Sequence, residues 1–105
     1  MVVEWYLGFQ ICRMYYVYIL TNHRRTVLYT GVTNNLKVRV RQHEKARGTA
    51  KSFTGKYYCY KLIYYEIFET PSDAIAREKE IKNFTHEKKM ALIKKVNPRL
   101  DFYRV

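Results

Sequence analysis

Tyr57 to Phe68 (YYCYKLIYYEIF) is the longest strand-like run in this chain and constrains it most. Aromatic and β-branched side chains suit a pleated, half-buried surface. Leu62, Tyr64, Glu66 and Phe68 share one parity, and Ile63, Tyr65 and Ile67 share the other. Both faces of such a strand are therefore expected to be at least partly covered. Tyr15 to Leu20 (YYVYIL) reads as a second strand and Thr26 to Tyr29 (TVLY) as a third. Only the polar break Thr21 to Arg25 separates these two, which predicts an antiparallel hairpin. Gly31 is expected to end the hairpin's second strand and to allow a turn or a close backbone approach.

The remaining segments read as helices with recognisable starts. Asn34-Asn35 supplies an N-cap for a helix over about 35–46, with Leu36 and Val40 on its buried arc. Thr70-Pro71-Ser72-Asp73 opens a helix that runs to about Phe84, with Ala74, Ile75, Ile81 and Phe84 as its apolar arc. Thr85 caps a last helix, His86 to about Val96, that buries Met90, Leu92 and Ile93. Asn97-Pro98 stops it. Between the first helix and the longest strand, Gly48 to Lys56 (GTAKSFTGK) reads as a basic, mobile loop of the kind that carries binding residues. The expectation is an α+β fold, β-β-α-β-α-α, with a three-stranded mainly antiparallel sheet flanked by helices.

Length allows one domain and no more: the chain has 105 residues. We assign it to residues 14–105, with residues 1–13 as an N-terminal extension, either an extra strand or a disordered arm. The extension lacks the basic start and small-residue cleavage site of a signal peptide. No apolar run approaches the ~18 residues of a membrane span. Cys12 and Cys59 form no CxxC and no disulfide framework, which fits a reducing, cytoplasmic setting. A formal charge of +11 together with 11 tyrosines points to a polyanionic partner, and nucleic acid is the usual one. A solvated basic surface with tyrosines packed in a sheet explains the same composition.

Few residues offer chemistry. Glu78 lies about 40° from Ala74 on the helical wheel, inside the apolar arc. A carboxylate there must be paired, hydrogen-bonded or bound to a cation. A salt bridge to a neighbouring Arg or Lys is the simpler reading, and a Mg²⁺ ligand the functional one. Arg39 and His43 stand one helical turn apart beside the Leu36 and Val40 arc. Arginine's rigid fork of donors suits a phosphate. Tyr18 and Tyr29 sit on the two hairpin strands. As a base, a tyrosine needs nearby cations to lower its pKa from ~10. No P-loop, dinucleotide fingerprint, zinc spacing or Ser-His-Asp pattern is present.

Val17-Tyr18-Ile19 resembles the first signature element of the GIY-YIG nuclease superfamily, and Tyr29-Thr30-Gly31 resembles the second. Gly31 to His43 (GVTNNLKVRVRQH) is similar to that superfamily's arginine-bearing helix. Ala74 to Lys82 (AIAREKEIK) is similar to its glutamate-bearing helix, and Asn97-Pro98 to its closing asparagine region. The resemblance spans about Met14 to Tyr103 and is strongest to small stand-alone bacterial members. It implies a phosphodiesterase using a single divalent ion, Mg²⁺ or Mn²⁺. Tyr18 would be the general base, Tyr29 would orient water or phosphate, and Arg39 would stabilise transition-state charge. His43 would assist proton transfer or positioning, Glu78 would hold the metal, and Asn97 would support the site.

Three positions depart from the pattern. Tyr16 replaces the glycine of the first element, Thr30 replaces the middle residue of the second, and Val32 stands where some members carry a lysine. The resemblance implies DNA rather than RNA as substrate, although nothing in the sequence reads or rejects a 2′-hydroxyl. Structured or damaged DNA fits better than one target sequence. The other readings are a nucleic-acid-binding module with little cleavage, an RNA-directed protein, and a dimerising domain that uses Trp5 to Ile11.

Overall fold

A computed structural model describes residues 13–105, so the expectations placed on residues 1–12 lie outside the described residues. β1 (Tyr15–Thr21) and β2 (Leu28–Thr33) pair antiparallel as a hairpin. The second strand lies further along the chain than Thr26–Tyr29. Asn22 Oδ1 accepts from the backbone N–H groups of Thr26 and Val27, and Thr21 Oγ1 donates to Val27 O. These bonds hold Thr26 and Val27 in the turn. Gly31 consequently falls inside β2, opposite Tyr18, and does not end the strand.

β3 (Lys61–Phe68) pairs antiparallel with the other side of β1, giving the order β2-β1-β3. Tyr57 and Tyr58 fall outside it. They close α2 (Phe53–Lys56), a short helix inside the segment read as a loop. The other helices are α1 (Leu36–Lys45), α3 (Pro71–Lys82) and α4 (His86–Val96). The predicted caps are in place: Asn35 accepts from Val38 N, Thr70 from Asp73 N and Thr85 from Lys88 N. None of the helices among the described residues is long and apolar enough to cross a membrane.

β1 is central and feeds two cores because successive side chains point to opposite faces. Val17 and Ile19 pack with Ile63, Ala74, Ile81 and Ile93 on the α3–α4 side. Tyr18 and Leu20 pack with Leu36, Val40, Cys59 and Leu62 on the α1 side. The stripe of α3 facing the sheet is Ala74, Glu78 and Ile81. Ile75, turned about 100° from Ala74, is exposed, contrary to its predicted place in the core. Of the predicted α4 core, Ile93 is buried while Met90 and Leu92 are half-buried. β3 is covered on both faces only at Leu62 to Tyr64; Tyr65 and Ile67 are exposed. Its outer edge is bridged by the C-terminal tail through Tyr103 N–H to Leu62 O at 2.8 Å.

Candidate active site

The site starts from a missing side chain. Gly31 faces Tyr18 across the hairpin, and a Cβ at Gly31 would lie 2.5 Å from Tyr18 Cζ. Glycine therefore lets the Tyr18 ring lie across β2. The ring is almost wholly enclosed at 1% exposure. Its centroid lies 6.4 Å from that of Tyr29 and 5.9 Å from that of His43. Tyr29 and His43 are 5.6 Å apart. Three rings from β1, β2 and α1 thus meet in one cluster.

α1 delivers its i, i+4 pair to this cluster. His43 Nε2 is 3.0 Å from the Tyr18 hydroxyl, and His43 Nδ1 is 3.0 Å from Thr54 Oγ1. A neutral imidazole has one donor and one acceptor. One consistent assignment has Tyr18 O–H donating to Nε2 and Nδ1–H donating to Thr54. Thr54 is buried on α2, which Ser52 caps by accepting from Gly55 N. Arg39 is exposed, and Gln42 Oε1 receives its Nη1–H at 3.0 Å.

Burial, then the neighbouring Tyr29 phenol, push the Tyr18 pKa up to about 12, while the Arg39 guanidinium acts to lower it. Burial and then Arg39 lower the pKa of His43. At neutral pH the pair is accordingly a phenol and an uncharged imidazole. That is the form in which the imidazole accepts the phenol's proton.

Glu78 is buried on the sheet-facing stripe of α3, as its helical angle predicts, and its charge is felt at Tyr18. The salt bridge is also present: Lys82 Nζ lies 2.7 Å from Glu78 Oε2. Lys82 is half exposed, whereas Glu78 Oε1 has no protein partner among the described hydrogen bonds. No group of three or more His, Cys, Asp or Glu residues suited to a metal occurs among the described residues. This donor set does not fit an all-protein cage. Glu78 would serve Mg²⁺ or Mn²⁺ as a single carboxylate ligand, and the ion would supply positive charge beside a phosphate.

The model of the GIY-YIG catalytic domain family matches residues 14–91. This chain belongs to the GIY-YIG family. Its relatives include UPF0213 proteins of Staphylococcus aureus strains Mu3 and N315, each 40% identical over 67 residues, covering 64% of this chain and 79% of theirs. The solution NMR structure of the UPF0213 protein BH0048 from Bacillus halodurans superposes with a TM-score of 0.51 at 26% identity. That match covers 80% of this chain and 86% of the other. A GIY-YIG catalytic domain assigns the protein to a nuclease-type function acting on nucleic acid.

Within this GIY-YIG framework the structure brings Tyr18, Tyr29 and His43 together, with Arg39 one helical turn before His43, and the charges of Arg39 and Glu78 act on Tyr18. Asn97 is placed differently. It caps α4, and its Nδ2 donates to Ile63 O and Asp101 O, both at 2.9 Å, while Oδ1 accepts from Asp101 N. Its side chain ties the C-terminal tail to β3. Sequence reasoning missed Thr54, Gln42 and Lys82. Lys82 was legible as i+4 from Glu78. Thr54 was not, because its partner His43 is distant in sequence and a shared turn of loop and helix brings them together.

Proposed function

We propose that this GIY-YIG protein is a metal-dependent endonuclease that hydrolyses DNA phosphodiester bonds. The observation that carries the reading is the 3.0 Å contact between Tyr18 Oη and His43 Nε2 in a cluster that also holds Arg39. A phenol with a pKa near 12 is a poor base by itself. Backed by a neutral imidazole it becomes a relay. Tyr18 Oη takes a proton from the attacking water while its own proton passes to His43 Nε2. The water oxygen bonds to phosphorus, and the ester bond to the leaving oxygen breaks. Arg39 offers its fork of donors to the phosphate oxygens. Thr54 holds His43 in the accepting tautomer. A single Mg²⁺ or Mn²⁺ at Glu78 would neutralise charge on the phosphate and the leaving oxygen. Tyr29 orients water or substrate, and Asn97 supports the site through the fold.

The test is nicking of plasmid DNA, and of branched and flapped duplexes, in Mg²⁺ or Mn²⁺. Chelation, Glu78→Gln and Tyr18→Phe are each expected to reduce cleavage by about 10²-fold or more. Activity should decline as pH falls through the lowered His43 pKa, because protonated Nε2 no longer accepts. The Glu78–Lys82 ion pair favours a second reading, a nucleic-acid-binding module with little cleavage. Binding without cutting in any metal would establish that reading in place of the first.

A further inference from the structure

An aromatic ledge stands beside the Tyr18–His43 cluster and takes no part in the chemistry assigned to it. Phe53 stacks on Tyr29 with centroids 6.1 Å apart, and Tyr57 packs against Phe53 at 4.8 Å. Phe53 is 50% exposed and Tyr57 41% exposed. The segment that carries them is braced. Gly48 N–H donates to Gly55 O, Cys59 N–H donates to Thr54 O, and Ser52 caps α2. Gly55 sits where a Cβ would lie 2.6 Å from Ala46 O, so the turn is tightly packed. Thr54 points inward to His43, and Phe53 beside it is directed out. The same fixed turn therefore orients the imidazole and presents a half-open aromatic face.

One cation touches the ledge and others lie in the neighbouring segments. Lys56 Nζ lies 5.4 Å from the Tyr57 ring centroid, Lys51 precedes α2 in the same segment, and exposed Arg39 stands one helical turn before His43, with its charge acting on Tyr18. Exposed aromatic faces beside positive charge suit a nucleobase attached to a phosphodiester, because every base has a π-face. A base paired within a duplex is stacked on its neighbours and has no face to offer. Resting on the nuclease reading above, we propose that Phe53 and Tyr57 form a base-stacking subsite. It would take an unpaired nucleobase next to the phosphate held at Tyr18 and Arg39, so that the favoured substrates carry unpaired nucleotides at the cut.

Binding of the full chain in chelator tests this without requiring cleavage. The probes are a fluorescent oligothymidylate and an abasic oligomer of equal length and charge, read by anisotropy. Wild type should bind the thymidylate about 5- to 150-fold more tightly. Phe53→Leu with Tyr57→Leu keeps apolar cover over Tyr29 but removes the aromatic faces. It should erase most of that preference and leave abasic binding unchanged, while Phe53→Trp should retain the preference. Tyr65→Leu, which removes a 41% exposed ring elsewhere, should have no effect. The proposal is overturned if wild type shows no preference, if the double variant keeps it, or if Tyr65→Leu removes it equally. Should wild type never cut, a preference that depends on Phe53 still supports the subsite, and only the nuclease reading falls.

Discussion

At Gly31 an added methyl group would meet the Tyr18 ring at 2.5 Å from Cζ, and that ring is enclosed at 1% exposure. Gly31→Ala should therefore displace the phenol from His43. We expect a loss of roughly 1–3 kcal/mol in stability. Cleavage should fall about 10²-fold, the scale of a 1 Å misplacement. Denaturant titration and the nicking assay check the two effects separately. The next residue back behaves oppositely. Thr30 is 2% exposed, and its Oγ1 has no hydrogen-bond partner among the described residues. Thr30→Val keeps the shape and removes the orphaned hydroxyl. It should raise stability by about 1 kcal/mol, seen as a higher denaturation midpoint with unchanged slope.

A polar bridge joins β3 to α3 in addition to the cores. Tyr64 on β3 donates to Glu66, and Arg77 on α3 binds both oxygens of Glu66 and also reaches Glu80 at 2.8 Å. Burial alone would raise the Glu66 pKa, but the hydrogen bonds from Arg77 and Tyr64 outweigh it and the net shift is downward. A lowered folded pKa means that the unfolded chain binds the proton more readily. The stabilisation is thus complete above the unfolded value of ~4.3 and is lost as pH falls through the folded value. Arg77→Met leaves Glu66 half-buried without its cation. It should cost about 2–3 kcal/mol at pH 7 and flatten the acid limb of a stability–pH curve. This bridge was not legible in the sequence, because Glu66 and Arg77 carry no pattern that announces their pairing. The α3 stripe was legible, since Ala74, Glu78 and Ile81 follow helical spacing, yet spacing alone put Ile75 in the core when the sheet covers only a narrow arc.

For the whole molecule, the proposed binding to nucleic acid is tested through its charge. A chain with net charge +11 releases counterions when it meets a phosphate backbone. The logarithm of its affinity for single-stranded DNA should fall linearly with log salt, by roughly 0.7 per phosphate contacted. Titrations between low and physiological salt measure this. Arg39→Gln should reduce the slope by about one contact and weaken all sequences alike. An affinity insensitive to salt would contradict nucleic acid as the partner.

Local signals in the sequence determined the number and order of the strands, the helix caps and the α+β class, because propensity and capping act over a few residues; the bounds of β2 and β3 were not set there. The i, i+4 spacing of Arg39 and His43 and the inward angle of Glu78 were set there too, since helical geometry is regular. Only the tertiary structure decided that Gly31 lies under the Tyr18 ring, that Thr54 reaches His43, and that Asn97 braces the C-terminal tail. Those outcomes depend on strand register and on contacts between residues far apart in the chain. Short-range chemistry does not encode such contacts; packing the sheet between two helical layers does.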